Sequence, residues 1–175
     1  MPATSFNAGL WHDYFMTVGG GAAALTGLVF VAMTLHLEEI TTNVVHRHRA
    51  RTILAGLTAI FIRCSLVLMG GQTAQAVAVE LIVVVAVVEA ILYRSIRSAA
   101  AGADRWVLYR TLGSFACLVV EQVGAVALFF GATGGLYVIG LGMMSSFIFI
   151  VTGAWLLLVG VGTEEAAKTR LLSAK

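Results

Sequence analysis

Apolar residues fill five long runs, and polar or charged residues gather in short clusters between them. The runs cover about 14–37, 51–70, 73–95, 107–131 and 134–162. A helix needs about 20 apolar residues to cross the hydrocarbon core, and a longer one crosses with tilt. The pattern predicts an all-α fold: a polytopic membrane helix bundle of five transmembrane helices, a single transmembrane domain over residues 1–175. Gly70, Gly71 and Gln72 separate the second and third runs, and GATGG at 131–135 separates the fourth and fifth. Glycine accepts the left-handed backbone that ends a helix, so both joints read as tight helical hairpins. One helix over 51–95 would far exceed a bilayer and is rejected. After Thr163 comes EEAAKTRLL, with two acids in its first turn and Lys168 and Arg170 towards its end. That arrangement predicts a short tail helix over 163–173, capped by Thr163 and lying at the inner interface.

Charge adds an orientation. Arg47, Arg49 and Arg51 lie between the first two spans, Arg94, Arg97, Arg105 and Arg110 around the connection between the third and fourth, and Lys168, Arg170 and Lys175 in the tail. The segment before the first span and both hairpins have no Lys or Arg. Cytoplasmic loops carry the excess of basic residues, which predicts the N-terminus outside and the C-terminus inside. An odd number of spans demands the same alternation. Trp11, Tyr14 and Phe15 mark the outer interface, and Tyr93, Trp106 and Tyr109 the inner one. Arg47, Arg49 and Arg51 are expected to anchor anionic lipid head groups on the inner face.

Composition excludes a water-soluble globule. Hydrophobic residues make up 59% of the chain and charged residues 11%, against about 25% charged in soluble domains. The mean hydropathy is +0.95. MPATSFNAGLWHD lacks the basic region of a signal peptide, so the first span is expected to remain in the protein. Cys64 and Cys117 both fall inside apolar runs and read as small buried side chains, not a disulfide framework.

The polar residues inside the runs carry the candidate chemistry. The first span has a stripe of Asp13, Thr17, Gly20, Ala24, Gly27, Val31, Thr34 and Glu38, with steps of four and three. That 3.5-residue period fits left-handed helix packing, within one chain or between copies, and also fits a pore lining. The second span offers Gly56, Ala59 and Arg63, the fourth Cys117, Glu121 and Gly124, and the fifth Gly142, Ser146 and Gly153. These small or polar faces should turn inward.

Arg63, Glu80 and Glu121 are the costly residues. A charge at mid-membrane depth costs roughly 3 kcal/mol on insertion scales, so it persists where it has a partner, a wet cavity or a function. From a rise of about 1.5 Å per residue, all three should lie ~10–15 Å below the outer boundary. Arg63 and Glu80 sit on neighbouring spans of one hairpin, which predicts a direct bidentate pair. Glu121 then joins the cluster or is protonated, with Gln122 helping to satisfy it. Glu89 points to the opposite face from Glu80 and reads as a snorkelling interfacial carboxylate or an ion site.

The histidines give weaker signals. His12 and Asp13 form a proton-sensitive outer pair or a wetted interfacial group. His46 and His48 have a metal-ligand spacing, but Arg47 and Arg49 beside them repel cations. No hydrolase, nucleotide-binding or dinucleotide-binding motif is present. No enzyme activity, cofactor, metal or nucleic-acid partner is expected.

The opening WHDYFMTVGGGAAALTGLVFVAMTLHLEEI resembles the first span of a group of uncharacterised bacterial multi-pass inner-membrane proteins, with an aromatic start, a Gly/Ala-rich run and an LTGLxFVA core. The resemblance covers about a sixth of the chain. It implies the bacterial inner (plasma) membrane and brings no activity or site residues with it.

Two functional readings follow. In the first, the chain is a small channel or transporter for an ion or proton, assembled as a homo-oligomer around the Arg63, Glu80 and Glu121 cluster. In the second, it is a structural or accessory subunit, with a possible unidentified membrane partner, whose buried ion pair only fixes helix packing. The first is the sequence-based expectation; an intramembrane enzyme using Glu121 or His12 and Asp13 ranks below both, because no nucleophile and base stand together.

Overall fold

Each apolar run folds as one α-helix. The computed structural model describes the backbone of residues 8–99, 105–132 and 134–173, and side chains from Gly9 to Gly160 apart from Glu39, Val45, residues 95–111 and Thr133. A 3-10 turn, Ala8–Trp11, leads into α1, His12–Leu35. A short α2, Leu37–Thr42, precedes α3, Val44–Leu68; then come α4, Ala74–Ala99, α5, Arg105–Phe129, and α6, Gly135–Ser173. There is no strand among the described residues. Five helices (α1, α3, α4, α5 and α6) are long and apolar enough to cross a membrane.

Both hairpins turn on glycine. Gly71 and Gly131 each have φ near +80°. At the second hairpin, Gly131 N–H donates to Leu128 O at 2.9 Å and Ala132 N–H to Ala127 O at 2.9 Å. Those two bonds make a Schellman motif, which satisfies carbonyls that the end of α5 leaves open. At the first, Thr73 Oγ1 accepts from Ala76 N–H at 3.2 Å and caps the start of α4.

Two segments depart from expectation. The basic stretch before residue 51 is helical, so α3 begins at Val44. VVHRHRA contains no Gly or Pro, and its Arg residues favour helix, so nothing stops the helix at the membrane boundary. The tail is not a separate helix: α6 runs unbroken for 39 residues through Thr163. A cap residue needs non-helical backbone, and Thr163 lies within the helix. At 1.5 Å per residue α6 is about 58 Å long, well beyond a hydrocarbon core of about 30 Å.

The packing is a four-membered ring with one helix outside it. α3 packs on α4, α4 on α5, α5 on α6, and α6 back on α3. α1 lies against α3 and touches α6 more lightly. α3 and α5 therefore face each other across the ring's middle. The interior is apolar on both halves: Ile60, Val67, Val77, Leu81 and Met143 towards the hairpin end, and Met33, Ile53, Leu57 and Leu157 towards the other. The outer surface is apolar too. Leu28, Phe30, Val83, Leu141 and Trp155 are all exposed, as a lipid-facing surface requires.

The seam on α1 sits two residues, about 200° of helix rotation, away from its expected place, on nearly the opposite side of the helix. Thr17, Gly20, Ala24, Gly27 and Thr34 are exposed within the single chain, and the face that packs on the bundle is Phe15, Gly19, Ala22, Val29 and Met33. Both stripes keep the same steps, so period alone could not choose between them. The buried one supplies bulk, while Gly19 lets α3 approach: a Cβ there would stand 2.9 Å from Cys64 Cβ. Tyr14 fastens α1 to α6 by donating from its hydroxyl to Gly140 O at 2.7 Å.

The closest crossing joins α5 and α6. A Cβ on Gly124 would lie 2.8 Å from Ile139 N and 2.9 Å from Gly135 O, so backbone would have to move. Gly124→Leu should destabilise the bundle by about 1–3 kcal/mol through overpacking. Gly27→Ala, where nothing lies within 4 Å, should change stability by about 0.5 kcal/mol or less. Unfolding titrations in detergent micelles would check both; equal losses would contradict the assigned packing face.

Candidate functional site

Arg63 on α3 and Glu121 on α5 meet across the middle of the ring. Arg63 Nη1 donates to Glu121 Oε2, and the two side chains are 2% and 1% exposed. Arg63 Nε also donates to Ala59 O, one turn back, at 3.1 Å. Ser146 on α6 donates its hydroxyl to Glu121 Oε1 at 2.9 Å. Three helices thus share one polar centre.

Helix geometry brings the three to one depth. Arg63, Glu121 and Ser146 lie five, eight and eleven residues from the hairpin ends of their helices, at Leu68, Phe129 and Gly135, or about 8, 12 and 17 Å. Side chains lean towards the N-terminus of their own helix. α3 and α5 start at the end opposite the hairpins, so Arg63 and Glu121 lean away from the hairpins. α6 starts at its hairpin, so Ser146 leans towards it, and the three converge. Gly142 leaves the space: a Cβ there would stand 2.5 Å from Glu121 Cγ and 3.1 Å from Cys117 O.

Apolar layers close the centre towards both ends of the bundle. Val67, Leu81, Ala125 and Met143 pack towards the hairpin end, and Leu57, Ala154 and Leu157 towards the other. Taking two charges out of water costs several kcal/mol per ion, which their mutual attraction and added hydrogen bonds must offset. Glu121 has a partner on each oxygen, as that offset requires.

Glu80 does not join the centre. It is half-buried, and both its oxygens accept from Gln72 Nε2 at 3.0 Å. The buried stripe of α4 is Val77, Ala78, Leu81 and Val85; Glu80 stands roughly 120° round the helix from it, at 100° per residue. Adjacency in a hairpin places helices side by side but does not set their rotation. Gln122 does not satisfy Glu121 either. Its Nε2 donates to Ile82 O at 3.1 Å and ties α5 to α4.

Other predicted positions lie apart. His12 and Asp13 are exposed near the first hairpin, with no ion pair between them. Thr17 Oγ1 donates to Asp13 O at 2.7 Å and Thr34 Oγ1 to Val31 O at 2.7 Å, so both hydroxyls on the exposed seam are satisfied within α1. Arg47 and Arg49 are half-buried and Arg51 exposed at the start of α3. Glu89 is half-buried. Cys64 and Cys117 are buried free thiols. No group of three potential metal ligands stands together among the described residues. The side chains of Arg97, Arg105, Trp106, Tyr109, Arg110, Lys168 and Arg170 lie outside the described residues.

Ser146 and Gly142 are the contributors whose roles the sequence left unassigned. They stand one turn apart on α6 at the depth of Glu121, and that spacing was the available signal. No family model, curated protein or solved structure matches this chain.

A double-mutant cycle tests the pair. Arg63→Met or Glu121→Leu alone should cost about 3–5 kcal/mol, because each strands a buried charge. The double variant should be more stable than either single one. Glu80→Gln should cost about 1 kcal/mol or less. Additive losses at 63 and 121, measured by unfolding in detergent, would contradict the pairing.

Proposed function

We propose that this chain is an integral membrane subunit whose Arg63–Glu121–Ser146 centre fixes helix packing, and that the bundle itself carries no ion path. The observation behind this reading is closure along the bundle axis: a pair 2% and 1% exposed, with apolar layers at both ends. An ion pathway needs sites that are entered and left. A buried pair instead penalises wrong helix rotations, since each would leave a charge unmatched. Support for a bacterial inner-membrane location comes from the resemblance of the first span. Support for an outer N-terminus comes from the basic residues, with Arg47, Arg49 and Arg51 meeting anionic head groups.

A second reading keeps transport but moves it between copies. The exposed seam on α1 carries Thr17, Gly20, Ala24, Gly27 and Thr34 at coiled-coil spacing, suited to close association of a homo-oligomer around a shared axis.

Flux separates the readings. Liposomes holding the purified chain should pass protons and potassium no faster than empty ones. The Arg63→Met, Glu121→Leu double variant should remain folded but elute as a broader, more heterogeneous species than wild type, because no charge then selects the helix rotations. Flux abolished by Glu121→Gln, with an unchanged elution profile, would overturn the packing reading in favour of a path through the centre. Flux that survives the double variant but is lost in Gly27→Leu would favour the axis between copies. A tag at residue 1 should be reached by reagents outside the cell; inside-only access would reverse the proposed orientation.

A further inference from the structure

Beside the ion pair lies a cavity of about 500 Å³, between α3, α4, α5 and α6. Ligand pockets commonly hold about 300–1,000 Å³ and combine apolar walls with a few placed polar groups. The walls here are almost wholly apolar, among them Leu54, Val84, Leu92 and Ile150. Ile62, Val83, Val87 and Ile91 line it and are exposed. The cavity therefore opens sideways between α3 and α4, onto the surface that faces lipid. Thr52 and Arg63 both line it, so it runs about 16 Å along α3 at 1.5 Å per residue.

Arg63 is its charged lining residue, with Thr58, Ser114 and Ser146 also in the wall. A guanidinium carries five N–H donors. One goes to Ala59 O and one to Glu121. The other three have no protein acceptor among the described residues. Donors facing a largely apolar cavity gain from an added acceptor, because Arg63 bonds to Ala59 and Glu121 and not to the hydroxyls that line it.

We propose that this cavity binds a membrane-soluble apolar molecule whose head carries a neutral carbonyl oxygen, a quinone or long-chain ketone in type, with that oxygen accepting from the spare N–H donors of Arg63. The neutrality of the head follows from charge. Glu121 already balances Arg63, so an anionic head would leave a net negative charge in an apolar cavity. A carbonyl supplies lone pairs and adds no charge. A phospholipid is a poorer fit, because its ester carbonyls belong at the membrane interface while Arg63 lies below it. The inference does not depend on whether the bundle conducts ions.

The test uses the full chain in detergent and three probes with one tail: decyl-benzoquinone, decylbenzene and decanoate. Decyl-benzoquinone should bind one per chain and raise the unfolding temperature. The other two should bind about tenfold more weakly or less. Val87→Trp and Ala55→Phe fill the rim at exposed positions; each should leave unliganded stability unchanged and weaken decyl-benzoquinone by about tenfold. Arg63→Lys keeps the charge but loses the fork of donors, and should reduce decyl-benzoquinone to the level of decylbenzene. Equal binding of all three probes would overturn the proposal and mark the cavity as filled by acyl chains. Tighter binding of decanoate, no binding by wild type, or full affinity in both rim variants would overturn it as well.

Discussion

A guanidinium cannot rest in hydrocarbon without a counter-charge, and the architecture of this bundle follows from where that counter-charge sits. Arg63 and Glu121 occupy helices that are opposite, not adjacent, in a ring of four. Only a long side chain can reach across such a ring. Arginine does so while staying charged and keeping donors to spare, which lysine would not. Ser146 completes the carboxylate from the third helix. Rotation or sliding of α3, α5 or α6 would separate at least one of these contacts, so a single centre constrains three helices at once.

The surrounding glycines make that centre possible. Gly142 gives Glu121 its volume, and Gly124 and Gly135 let α5 and α6 approach until only backbone separates them. In lipid no hydrophobic force drives helices together, so close packing and polar contacts have to. Here the two coincide on α6: the residue that makes room and the residue that donates to the carboxylate are one turn apart. The tight glycine hairpin at Gly131 sets α5 and α6 antiparallel.

Much of the fold was legible in the amino-acid order. Length and apolarity alone give five spans, and Gly71 and Gly131 stand where the chain reverses. Arg63 and Glu121 were also visible as the costly residues, and each lies on the small-residue face of its own helix. What sequence could not supply was rotation about each helix axis. Joined helices predict Glu80 as Arg63's partner, yet it faces Gln72. The seam of α1 shows the same limit: two stripes two residues apart share a period, and only packing bulk around Phe15, Val29 and Met33 decides between them. The tail departs from expectation for a different reason. Thr163 looks like a cap in isolation, but with no proline the preceding helix simply continues.

The central claim is that Arg63 finds its counter-charge on α5. Solid-state NMR in lipid bilayers, with 15N in the arginine guanidinium and 13C in the glutamate carboxyl groups, measures this directly. The account predicts strong dipolar coupling from Arg63 to Glu121, as for an ion pair within about 4 Å, and none to Glu80. Coupling to Glu80 in place of Glu121, or to no carboxylate at all, would contradict it.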